Sequence, residues 1–101
     1  MCLHKIKERE MKTFKDLEFK DHPMVKGAKE AIKKGVDMTE EAKAKQAKIK
    51  FENGVVLSVI FGSVFYSNGV DTYECMTLGS DEPIGYLTED EVTKYMVELQ
   101  K

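Results

Sequence analysis

The sequence predicts an α+β fold: an antiparallel sheet of three or more strands, a C-terminal helix packed on one face, and short N-terminal helices. Three observations predict it. Asn53-Gly54 separates two runs of strand formers, 47–51 and 55–61, as a tight hairpin turn does. A third run of strand formers, 70–78, follows a polar and aromatic stretch. Val92, Tyr95, Met96 and Leu99 then recur at i, i+3, i+4 and i+7, the period of one helix face. A chain of 101 residues allows one domain with a modest core.

Taken in order, residues 1–10 are expected to form a flexible extension, leaving 11–101 as the domain. Residues 11–17 suit a helical turn, and Leu17-Glu18-Phe19 suits a short strand. His22-Pro23 opens a helix over 24–34, because proline is tolerated in the first turn, and Gly35 closes it. Its apolar positions are Met24, Val25, Ala28, Ala31 and Ile32. A second short helix is expected from Thr39 to about Gln46, capped by Asp37 or Thr39 and rich in helix formers.

The hairpin register follows from which face it buries. A two-residue loop would align Val55, Leu57, Val59 and Phe61 with Glu52, Lys50 and Lys48. A three-residue loop, Glu52-Asn53-Gly54, instead pairs Phe51 with Val55, Ile49 with Leu57 and Ala47 with Val59. All six are then apolar and on one face. A slip of one residue would reverse every side chain, so burial selects the three-residue loop with glycine in the left-handed region. The second strand is apolar on both faces and is expected to be central, whereas Lys48 and Lys50 place the first at a wetter position or an edge.

Residues 62–69 read G-S-V-F-Y-S-N-G. Either the flanking strands continue through them to a turn at 67–69, or an aromatic tip protrudes. In the protruding reading Phe65, Tyr66 and Asn68, with Tyr73 beyond them, are the candidate partner-binding residues, because aromatic rings offer large contact area at low entropy cost. Along 70–78 either face could be inward, and Glu74 is expected to face solvent or pair with a lysine. Residues 84–87 suit a short extended segment. Thr88 and Glu91 form a capping box, with Leu87 and Val92 as its hydrophobic staple, so a helix is expected over 89–100. Its stripe should cover Phe51, Val55, Leu57 and Val59.

Motifs for catalysis, nucleotides and metals are missing: no phosphate-binding glycine loop, no dinucleotide fingerprint, no H-E-x-x-H, and no Cys or His at ligand spacing. The reading is therefore non-enzymatic, with no cofactor and no metal. The net charge of -2 implies no broad attraction to nucleic acid. The alternative is a lysine patch of Lys43, Lys45, Lys48 and Lys50, but Arg9 is the chain's single arginine, and nucleic-acid surfaces usually add arginine or aromatic support. Cys2 and Cys75 suggest free thiols rather than a disulfide framework. The first ten residues lack the apolar core of a signal peptide, and the run 55–61 is too short to span a membrane.

The strings M-K-T-F-K-D-L-E-F-K-D-H from Met11, F-E-N-G-V-V-L-S-V-I-F-G, T-Y-E-C and I-G-Y-L-T-E-D-E-V resemble a family of small bacteriophage accessory proteins over 11–22 and 47–101. Gly62, Tyr73-Glu74 and Gly85-Tyr86-Leu87 match that layout. Val64, Phe65 and Tyr66 depart from it, standing where the family has small residues, and 24–46 is an addition. The resemblance implies a viral protein in the cytoplasm of an infected bacterium. It carries over no catalytic residue. The expected function is protein–protein interaction, with a bacterial host protein as partner or with a second copy in a homodimer. Association with nucleic acid through Lys43–50 is the alternative.

Overall fold

The computed structural model describes residues 11–80 and 82–101. The flexible extension expected at 1–10, with Cys2, His4 and Arg9, lies outside the described residues. The fold is α+β. A five-stranded antiparallel sheet runs in chain order: β1 (Lys20–Asp21), β2 (Lys45–Lys50), β3 (Val56–Phe61), β4 (Tyr73–Thr77) and β5 (Ile84–Leu87). Helix α1 (Met24–Lys33) lies between β1 and β2 in sequence, and α2 (Glu89–Gln100) follows β5.

The hairpin has the three-residue loop. Ile49 pairs with Leu57 and Ala47 with Val59, while the Phe51 N–H donates to the Val55 carbonyl at 2.8 Å. The Gly54 N–H closes the turn on the Phe51 carbonyl at 2.9 Å, with Gly54 at φ 92°. Asn53 has two further tasks. Its Oδ1 accepts from the Val55 N–H, and its Nδ2 donates to the Leu99 carbonyl at 2.7 Å. The turn is thereby tied to the end of α2.

Alternation along β2, β3 and β4 creates two unlike faces. The first carries Phe51, Leu57, Val59 and Cys75, closed by Val92 and Met96 of α2, with Val55, Tyr95 and Leu99 at the margin. Burial pushes the Cys75 thiol up to about 12. The α2 N-terminus has its capping box: the Glu91 N–H donates to Thr88 Oγ1 and the Thr88 N–H to Glu91 Oε1. The rest of this face is covered by residues 11–19. There Phe14 and Phe19 surround Tyr73, with ring centroids 4.9 and 5.7 Å away, and Phe61 stands 5.3 Å from the same ring. Gln100, itself buried, holds this segment down. It donates to the Lys12 carbonyl at 2.7 Å and accepts from the Lys12 N–H at 2.8 Å.

Three expectations need correction. The helix expected from Thr39 to about Gln46 is only a 3-10 turn, Glu41–Lys43, and β2 already begins at Lys45. Ala44 and Ala47 are buried, and β1 pairs with Lys45 and Gln46, so packing and strand pairing override local helix propensity. The third strand spans only Tyr73–Thr77, leaving Val70 and Leu78 exposed. Glu74 is not solvent-facing but buried. Helix α1 ends as expected: the Gly35 N–H reaches the Ile32 carbonyl and the Val36 N–H the Ala31 carbonyl, with Gly35 at φ 87°. It buries only Val25 and Ala28, and packs against the Glu41–Lys43 turn beside β1.

Candidate functional site

The second face of the sheet carries Gln46, Lys48, Ser58, Ile60, Glu74 and Met76. Residues 62–69 fold back over its β4–β5 end. Neither flanking strand continues through them, since β3 stops at Phe61 and β4 starts at Tyr73. Polar side chains shape the loop instead. Buried Ser67 accepts from the Gly62 and Gly69 N–H groups and donates to the Thr72 carbonyl. Asn68 Oδ1 accepts from the N–H groups of Val70, Asp71 and Thr72. Asn68 is therefore committed to the loop's own backbone. Ser63 Oγ adds an outside anchor, donating to Glu40 at 2.8 Å, and this bond is the main reason the Glu40 carboxyl lies below its ordinary value.

These bonds bring Tyr66 to β5. The Tyr86 N–H donates to the Tyr66 carbonyl at 2.8 Å, and the Tyr66 N–H donates to Glu74 Oε1 at 3.0 Å. Gly85 has no side chain because Tyr66 lies against it: a Cβ there would collide with Tyr66 Cβ. Across from it Tyr86 adopts φ 57°, the left-handed region, beside a register shift between β4 and β5. The two tyrosine rings stand 6.3 Å apart and are 53% and 59% exposed. With Val64, Phe65 and Glu74 they line an open cleft of about 360 Å³. Phe65 rests on the ring of His22, 5.0 Å away. His22 also accepts the Met24 N–H on Nδ1, so it bridges the loop and the start of α1. Burial lowers its pKa, with Glu74 opposing and Lys48 adding to the shift.

The four residues singled out from sequence do not share one surface. Phe65 and Tyr66 line the cleft, Asn68 supports the loop, and Tyr73 lies on the opposite face within the Phe14, Phe19 and Phe61 cluster. Tyr86 and Glu74 join the cleft as well, and the residues around Glu74 gave no local sign of it. A glycine-aromatic pair at 85–86 was the one available signal for Tyr86. The four lysines divide as well. Lys43 pairs with Glu40 and Lys45 with Asp21, while Lys48 and Lys50, two apart on β2, share the second face. The Lys45 hydrogen bond and charge hold the Asp21 carboxyl below its ordinary value.

Among the described residues no group of three or more His, Cys, Asp and Glu could hold a metal, and no helix is long and apolar enough to cross a membrane. Comparison with protein-family models, curated proteins and solved structures gives no match.

Proposed function

We propose that this chain is a non-enzymatic protein-binding module that presents Val64, Phe65, Tyr66 and Tyr86 to a partner protein. In the wider reading it is a bacteriophage accessory protein acting on a bacterial host protein. The observation that carries the proposal is Tyr86 at φ 57°, with its ring exposed beside Tyr66. A non-glycine residue in that region costs about 1–2 kcal/mol, and such strain concentrates at recognition sites. The bond from the Tyr86 N–H to the Tyr66 carbonyl holds the two backbones side by side in advance, which reduces the ordering cost of binding. Nucleic-acid association is the weaker reading, because Lys43 and Lys45 already have carboxylate partners.

The test is capture from bacterial lysate on immobilised wild type and on a Tyr66→Ala/Tyr86→Gly variant, followed by titration of each purified captured protein. An exposed aromatic hot spot is worth about 2 kcal/mol or more, so binding to the variant should weaken by about 30-fold or more. Equal affinity for the two chains would refute the aromatic patch as the interface.

A further inference from the structure

One wall of the cleft is a carboxylate without a close ion pair among the described residues. Glu74 is 7% exposed, yet from the described residues its carboxylate receives a single hydrogen bond, from the Tyr66 N–H to Oε1. Among the described residues no lysine, arginine or histidine nitrogen lies within 4 Å of it: the ion pairs there involve Asp21, Glu40 and Glu98. No described buried side-chain oxygen lacks a partner, so the unbonded Oε2 is open to solvent, where an incoming donor can reach it. Glu74 does line the cleft, together with three aromatic rings: Phe65, Tyr66 and Tyr86. Ring faces attract cations, and a planar cation can stack on a ring while donating to a carboxylate at its edge. Oε1 is engaged with the backbone, which leaves Oε2 for an incoming donor.

We propose that this cleft takes a guanidinium group, the side chain of an arginine on the partner, with Glu74 as its counter-ion and the Tyr66 and Tyr86 rings as its walls. The proposal rests on the protein-binding reading above and names the chemistry that the patch recognises. A guanidinium fits better than a neutral group because it brings charge as well as donors to the free Oε2, and charge-assisted hydrogen bonds are the stronger ones. It fits better than a bare metal ion because three of the five lining residues are aromatic.

The experiment is a two-dimensional NMR titration of the full chain with N-acetyl-arginine amide, and in parallel with N-acetyl-citrulline amide, its neutral isostere. The arginine probe should shift the amides of Tyr66, Glu74 and Tyr86 saturably in the millimolar range. The citrulline probe should bind about tenfold more weakly or worse, the difference a charge-assisted pair commonly makes. Glu74→Gln keeps an acceptor for the Tyr66 N–H and should weaken arginine binding by about tenfold. Tyr86→Gly removes one wall at a backbone angle glycine tolerates, so it tests the cleft without relying on Glu74 variants folding. Arginine and citrulline probes binding alike, or wild-type affinity in both variants, would overturn the guanidinium assignment. The outcome separates from that of the lysate experiment. A silent titration with partner loss in the tyrosine variant removes the cation and keeps the interface. Arginine-selective binding with no partner difference keeps the cleft chemistry and removes the interface.

Discussion

At the scale of single residues, Tyr86 sets stability against recognition. Its φ of 57° is one that glycine adopts freely, so Tyr86→Gly should raise the unfolding free energy by about 1 kcal/mol in denaturant titration. The same change should weaken partner binding. A loss of stability would show that packing of the ring on Tyr66 outweighs the backbone strain. His22 gives a pH dependence of defined sign. Burial holds its folded pKa below 6.5, Glu74 pulls it up and Lys48 pushes it down. The neutral ring is therefore favoured by folding. Its contribution is fully present above pH 6.5 and is lost as the pH falls from there through the lowered folded value. Protonation would also put a proton on the Nδ1 that accepts the Met24 N–H, at the positive end of α1. Denaturation midpoints between pH 5 and 8, wild type against His22→Gln, should show a pH slope that the variant reduces.

At the scale of elements, the hairpin and α2 rest on one apolar face. Met96→Ala should cost about 2–5 kcal/mol in thermal or chemical unfolding, because Met96 is fully enclosed by Phe51, Leu57, Val59, Cys75 and Val92. A cost under 1 kcal/mol would mean that α2 is not a required cover. These two elements were also the most legible in the sequence, for a shared reason. Their side-chain periods, two and 3.6, point to a single solution once one face must be buried, and the Thr88–Glu91 box marks where α2 starts. What the sequence did not disclose depends on residues far apart in the chain. Glu74 is buried only because residues 62–69 return across β4, and that return is held by Ser67 and Asn68 bonding to backbone groups. Residues 44–46 carry helix-forming side chains, but β1 offers them a strand partner and the core takes Ala44 and Ala47. The candidate cleft was half legible: Phe65 and Tyr66 stood out as aromatic residues in a short loop, while Tyr86 and Glu74 meet them only through the loop's return, which brings the Tyr66 carbonyl to the Tyr86 N–H and the Tyr66 N–H to Glu74.

At the scale of the whole molecule, the sheet has a dry face and a mixed face. The dry face is shared between α2 and residues 11–19. The mixed face is occupied at one end by the loop, with His22 and Phe65 in contact between it and α1. Gln100 joins the first part of the described chain to the last, its side chain meeting the Lys12 backbone 88 positions away in sequence. Gln100→Ala should leave β3 amides protected and accelerate hydrogen exchange at Lys12 and Phe14, whose N–H groups are held by Gln100 and Thr93. Unchanged exchange at Lys12 would show that other contacts hold the segment. This bond also sets an order in time. Closing so long a loop carries a large entropic cost before any contact repays it, so Lys12 should dock after the hairpin has formed and release before it opens. Such an early release should lift Phe14 from Tyr73 while β2, β3 and β4 remain joined and Phe19 stays beside β1, which pairs with β2. One side of the Tyr73 ring should thus keep its own clock, uncovered at intervals shorter than the lifetime of the sheet that carries it.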